Sequence, residues 1–464
     1  MIGQHLRTWL TICLLAVSSG CAHYHAKPLQ TSSPLSGKLD ALTVRIDAPH
    51  YARLFGEQKR YTVDLQDGLD EMEISILAVL NNPQLKATRK KMHVARAQLF
   101  AAGLLPDPKF GAEQQKTTGN SDPQLVNGYT YNLGFNIRSL ITRHAKIDAG
   151  RATVQQVSMD ILWQEWQVVQ QARILFIRQH IQQKLVALLK KQNDQASTLY
   201  EHVQGLLMRH NTTLDQLGIA LGSLLDVKSA LTDAQRKLNK TRMNLALLLG
   251  VSPDVDLHLA KMKEKYHAMT EARLKKAINH LADFRPDLIA LRHGYKSQNA
   301  RLRQAILSQF PNVSIGLSRQ RDTSGVWSIG PLINMSLPVL NINRGNIATA
   351  RATRDKLHEE FNARMASTMV DISRIHRDQT IAFHLWQRMQ HYIPKLKEVK
   401  QKAFKALLAG NMKLLNYSTI RNAYLTKRIK ELSLQQSLLE QQVALSILLG
   451  EPAANISNQT KRGN

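Results

Sequence analysis

At 464 residues and 43% hydrophobic, the chain is long enough for two or three globular domains. Its 62 basic and 35 acidic residues leave a formal charge of +27, which would suit nucleic acid, lipopolysaccharide or acidic lipid. The basic residues are spread along the chain as on solvated helix faces, and export (below) conflicts with nucleic acid as a partner.

Residues 1–20 read as an export signal. His5 and Arg7 form a thin basic start, and the apolar run from Trp9 to Val17 is too short to span a bilayer. Ser18-Ser19-Gly20 before Cys21 resembles a bacterial lipoprotein cleavage box, with Ser18 where leucine is usual, and marks Cys21 for lipid attachment. Cys13 would leave with the signal, so the mature chain has one cysteine and no intramolecular disulfide. Residues 21–68 are polar and punctuated by Pro28, Pro34, Gly37 and Pro49, as in a lipid-anchored N-terminal tether.

Two copies of one unit follow, at 69–260 and 261–452, with a flexible tail at 453–464. Ile147-Asp148-Ala149-Gly150-Arg151-Ala152-Thr153 matches Ile347-Ala348-Thr349-Ala350-Arg351-Ala352-Thr353, and Leu248-Leu249-Gly250 matches Leu448-Leu449-Gly450. In the first copy Asn81-Asn82-Pro83-Gln84-Leu85 restarts a helix, Asn82 capping and Pro83 at the first helical position. That helix ends at Leu104-Leu105-Pro106. A β-hairpin is predicted over 108–138, its first strand alternating poorly and Tyr129 to Ile137 alternating cleanly. A long helical hairpin spans 139–250, turning at His210-Asn211-Thr212-Thr213. The second copy repeats the plan: a restart at Phe284-Arg285-Pro286-Asp287-Leu288, a hairpin over 311–338, and a helical hairpin over 339–450. Its turn is Gly410-Asn411-Met412-Lys413, and Pro394 predicts a kink.

Helices of about seventy residues reach roughly 100 Å, more than a globular domain needs. Each return helix plus a restarted helix nearly matches one long helix, so the two are predicted to stack end to end. The strands suit a tilted crossing of a bilayer, with Tyr129, Tyr131, Leu133, Phe135, Ile333, Met335 and Leu337 predicted to face lipid. Four strands cannot close on themselves; two chains give eight and three give twelve, and only twelve leave a lumen. A soluble sandwich of two hairpins explains neither the export signal nor the helix length.

The helix restarts, Leu104-Leu105-Pro106, the strand exit Ser336-Leu337-Pro338-Val339-Leu340 and the two Leu-Leu-Gly endings together resemble the outer-membrane efflux protein family, the TolC type, from about residue 69 to 452. The lipoprotein signal and Gly103-Leu104-Leu105-Pro106-Asp107-Pro108 look most like the outer-membrane members of tripartite resistance–nodulation–division pumps, including heavy-metal exporters. The resemblance implies a mainly α fold with membrane β, in which the two-repeat chain forms part of a trimeric 12-stranded β-barrel joined to a long α-helical barrel. It implies an exit duct passing drugs or metal ions from periplasm to exterior, partnered by a second and third copy, a periplasmic adaptor, an inner-membrane transporter and outer-membrane lipids. A type I secretion channel and a non-conducting lipid-anchored coiled-coil scaffold are the alternatives.

The resemblance also places the two turns at a periplasmic mouth, formed by Arg209, His210, Asp215, Gln216, Gly410, Lys413, Asn416 and Thr419. The family often has aspartates six and nine residues after the second turn's glycine. Here those positions are Asn416 and Thr419, and in the first copy His210 replaces the glycine and Gln216 the first acid. Phosphate loops, His-Glu-x-x-His and paired cysteines are absent from the sequence. His23 and His25 lie in the tether, and His376, His384 and His391 follow one helix face as surface residues. No enzyme and no cofactor are expected.

Overall fold

The computed structural model describes residues 24–29, 31–32, 35–43, 45–46, 52–55, 61–65, 67–118, 125–262 and 266–450. The chain divides into two units, 1–35 and 36–464, and the described residues of the first form neither helix nor strand. Residues 1–20, Cys21 and His23, and the tail at 453–464, lie outside the described residues.

Part of the predicted tether joins the core of the second unit. The short strands β1 (Arg45–Ile46) and β2 (Tyr61–Thr62) pair antiparallel around α1 (Ala52–Phe55). Leu42, Leu54, Phe55 and Val63 are buried in one cluster with Trp166, Phe176, Leu249 and Val251. Four apolar side chains gain about 1.5–3 kcal/mol each from burial, enough to fold a polar, proline-rich segment back onto the body.

A capping box starts α2 (Glu71–Asn81): the Glu73 amide donates to Asp70, and the Asp70 amide to the Glu73 carboxylate. Asn82 ends α2 and starts α3 (Pro83–Gly103), its Oδ1 accepting from the Leu85 amide at 2.9 Å. Strands β3 (Lys109–Gln115) and β4 (Gly128–Asn136) follow, and the 72-residue α4 (Ile137–Met208) begins directly where β4 ends. The Asn136 side chain makes that corner by accepting from the Ser139 amide. In sequence order come α5 (Leu214–Leu249), the short α6 (Glu271–Asn279) and α7 (Leu281–Phe284), and α8 (Pro286–Leu307). They lead to β5 (Asn312–Arg321), β6 (Trp327–Ser336), α9 (Arg344–Leu408) and α10 (Leu414–Leu448). Helix α9 starts well after β6, where Arg138 of the first copy is replaced by Pro338, which disfavours helix at the residue before it. Helix α9 runs unbroken through Pro394.

Helix α4 packs against α3, α5, α8 and α10, and α9 against α8 and α10. The 36-residue α5 meets the 21-residue α3 end to end. Asn82 joins them, its Nδ2 donating to the Leu248 carbonyl at 3.1 Å while its Oδ1 caps α3. The second copy makes the same joint between α10 and α8, where Arg285 Nη1 donates to the Leu448 carbonyl at 3.2 Å. Gly250 at the first joint has φ +72°, and a Cβ there would stand 2.8 Å from the Asn81 carbonyl oxygen, so only glycine fits.

Candidate functional site: an apolar sheet and two helix turns

The four long strands form one antiparallel sheet in the order β3-β4-β5-β6. Its register sorts the side chains by face. Leu133 pairs with Phe110 and Leu317, and Leu317 with Pro331. The adjoining rows run Ala112, Tyr131, Arg319, Ile329 and then Phe135, Ile315, Ile333. Tyr129 lies on the same face opposite Arg321, and Met335 opposite Val313. The other face holds Gly111, Asn132, Ser318 and Gly330 in one row, Gly134, Gly316 and Leu332 in the next, and Asn136, Ser314 and Asn334 beyond. Leu332 is the one large apolar residue among them.

The apolar face is uncovered: Ile333 is 67% exposed, Leu317 58% and Leu133 51%. Arg319 and Arg321 stand at one end of it, where the Arg319 guanidinium lies over the Trp327 ring at 4.7 Å. A contiguous apolar face of this size marks a contact with lipid or protein. The outer edges of β3 and β6 pair with no other strand among the described residues. Leu337, predicted in the last strand, lies one residue past its end and is 64% exposed, because Pro338 ends the ladder. No described helix is long and apolar enough to cross a membrane.

At the far ends of the helical hairpins the turns have one geometry. The His210 amide donates to Leu207 and the Asn211 amide to Leu206; Gly410 and Asn411 repeat this with Leu407 and Ala406. Both are left-handed closures of a helix end, with φ +59° at His210 and +76° at Gly410. Glycine adopts that conformation freely and histidine does not, so His210→Gly is expected to stabilise the protein by about 1 kcal/mol, read as a higher urea midpoint. An unchanged midpoint would mean that contacts of the imidazole offset the strain.

Leu199 and Val203 of α4, Ala220 of α5, Ala403 of α9, and Leu414 and Tyr417 of α10 form one cluster that holds the two turns together. Arg209 ends α4, Asp215 and Gln216 lie in the first turn of α5, and Lys413 precedes α10. Asn416 and Thr419, three residues apart, share an exposed face of α10. All but the half-buried Gln216 are exposed, as are His210 and Gly410. His376, His384 and His391 do not converge: among the described residues no group of three His, Cys, Asp or Glu could hold a metal.

Two functional candidates escape sequence reading, Lys400 and Arg421, which are buried beside these turns. The spacing of Tyr417, Arg421 and Tyr424, one helix face with an arginine between two aromatics, was the available signal.

No protein-family model matches the chain. No curated protein matches it either. Solved structures do. The chain is similar to the Campylobacter jejuni CmeC outer membrane channel, with 15% identity over 95% of this chain and 97% of that one, at a TM-score of 0.68. It is similar to the outer-membrane channel OprN, with 14% identity, 92% and 98% coverage and a TM-score of 0.69. It is similar to CusC, with 17% identity, 83% and 93% coverage and a TM-score of 0.66. With its two helical hairpins, its end-to-end helix joints and its four-stranded sheet, the chain has the fold of the TolC-type outer-membrane efflux channels.

Proposed function

We propose that three copies of the chain form the outer-membrane exit duct of a tripartite efflux system, passing small solutes from periplasm to exterior. The observation that carries this reading is the sheet, with one continuous exposed apolar face, one polar face and two open edges. An open edge in lipid leaves backbone groups unpaired at several kcal/mol each, so β3 of one copy must pair with β6 of the next. Three chains make twelve strands with a lumen lined by the polar face; eight would be filled by side chains. The long helices then form the periplasmic tunnel. A periplasmic adaptor would meet the two turns and link the duct to an inner-membrane transporter. Drugs and metal ions are both within the range of solutes such a duct would pass.

Discrete channels in a planar bilayer, from a species sized as a trimer by light scattering in detergent, are the expected result. A stable monomer without conductance would support the scaffold instead. The mouth would be lined by Arg209, His210, Asp215, Gln216, Gly410, Lys413, Asn416 and Thr419. With Asn416 and Thr419 neutral, weak cation selectivity is expected, because a narrow opening focuses whatever charge lines it. Asn416→Asp would place three carboxylates in one ring and shift the reversal potential toward cations. A wild type already strongly cation-selective and indifferent to that change would move the constriction elsewhere.

Lipid attachment at Cys21 would anchor the chain to the outer membrane after loss of the export signal. Labelled palmitate should enter the wild type and vanish in Cys21→Ser. A wild type that never incorporates it has no lipid anchor.

A further inference from the structure

The end of the chain that carries the two turns holds two positive charges in its interior. Lys400 of α9 is 9% exposed and Arg421 of α10 is 1% exposed. Among the described residues the Lys400 ammonium donates only to Gln195 Oε1, at 3.4 Å, and it lies over the Tyr424 ring at 5.1 Å. One nitrogen of the Arg421 guanidinium reaches Ser223 and Asn422, and its Nε has no hydrogen-bond partner. The carboxylate whose field reaches Arg421, Asp226, is exposed on α5. Burying cations without a carboxylate is strongly unfavourable unless something else supplies negative charge. Burial first, then the charges of Lys191, Arg421 and Lys397, holds the Lys400 ammonium below the usual lysine range.

A cavity of about 640 Å³ lies against Lys400, between α4, α9 and α10. Lys191, Lys397, Lys402 and Lys405 also line it, and its one acid, Glu398, is bound to Lys402 at 2.9 Å. Tyr417 and Tyr424 complete the wall, and Arg421 shares their face of α10. Four lysines therefore stand around the cavity without an acidic partner among the described residues.

We propose that this cavity binds a small multivalent oxyanion, phosphate- or carboxylate-bearing, held by Lys400 and the lysines around it, with the buried Arg421 adding its charge. A cation would be repelled by this wall, and a neutral solute would leave its lysine charges unbalanced. Lys191 and Gln195 come from the first repeat and the other groups from the second. An anion there would tie the two helical hairpins together beside their turns.

The test reads binding, so it does not depend on whether the assembly conducts. The full chain in detergent is titrated calorimetrically with inorganic pyrophosphate and, separately, with citrate, each at the ionic strength of a sodium chloride control. Saturable binding of one anion per chain is expected, weakened at least tenfold in Lys400→Met. Thermal unfolding supplies a second measurement. In chloride Lys400→Met should unfold at a higher temperature than wild type, since the buried unpaired charge is gone. The anion should raise the wild-type midpoint and leave the variant's unchanged. Binding of one anion alone supports the site and narrows its ligand to that class. No saturable binding of either anion, or equal affinity in wild type and Lys400→Met, overturns the proposal.

Discussion

Leu133→Arg is expected to abolish assembly in the outer membrane while leaving the helical body folded. Leu133 lies in the central row of the apolar face, between Phe110 and Leu317, and is half exposed. If that face meets hydrocarbon at mid-depth, each arginine costs about 2–4 kcal/mol. Three copies in one barrel would carry the cost three times, enough to remove most of the stability of a membrane domain. Ser318→Arg is the matched control, because Ser318 pairs with Asn132 and Gly330 on the opposite, polar face. It should assemble and conduct, with altered ion preference. The measurement is the yield of trimer in the outer-membrane fraction for both variants. Equal loss on the two faces would contradict a lipid-facing sheet and favour a sheet buried on both sides.

The second large effect is expected at Arg285. Arg285 and Asp287 form a two-pronged ion pair with distances of 2.9 and 2.6 Å, both side chains almost fully buried. The same guanidinium donates to the Leu448 carbonyl and lies 4.9 Å from the Trp163 ring, so it ties α10, α8 and α4 at one point. Removing it leaves the buried Asp287 carboxylate with the Leu288 amide at 3.0 Å and the Arg364 guanidinium at 3.9 Å. Asp160 sharpens the problem: burial already holds its carboxyl above the usual range, with Lys91 opposing and Asp287 adding to the shift. Arg285→Met should cost about 3–5 kcal/mol, as loss of one partner from a buried pair does. The double replacement Arg285→Met with Asp287→Leu should recover most of it, since no charge is then left buried. Denaturant unfolding of the three proteins checks this. A double variant as unstable as the single one would show that the tie to Leu448, and not the stranded charge, carries the cost.

Features set by neighbouring residues were legible in the sequence. Alternation from Tyr129 to Asn136, the proline at Pro83 and the glycine at Gly250 each express a local rule, and each recurs about two hundred residues on, at Trp327–Ser336, Pro286 and Gly450; the Asn82 cap does not, since Arg285 makes no capping bond. The mainly helical fold with its four-stranded sheet was implied by the family resemblance that those repeated motifs carry. What was not legible depends on contacts far apart in the chain. Leu42, Leu54, Phe55 and Val63 are scattered among polar residues and prolines, and only the cluster around Trp166 and Val251 makes them core. The strand end at Ser336 was missed by one residue because Leu337 keeps the apolar alternation that Pro338 interrupts. At the turns, residues 209–216 and 410–419 were singled out by resemblance alone. Lys400 and Arg421 read as two more surface cations until helices from both repeats closed around them.

The joints at Asn82 and Arg285 bear on how such a chain came to be doubled. In each copy the last helix ends against the start of the first, so the path from Pro83 through β3, β4, α4 and α5 returns to its own origin. The path from Pro286 to Leu448 does the same. Each repeat is topologically a ring, closed by a hydrogen bond where a peptide bond could stand. A ring can be opened at an exposed loop while keeping its packing, and it can be duplicated in tandem with one connecting segment, here residues 251–285 with α6 and α7, to join the copies.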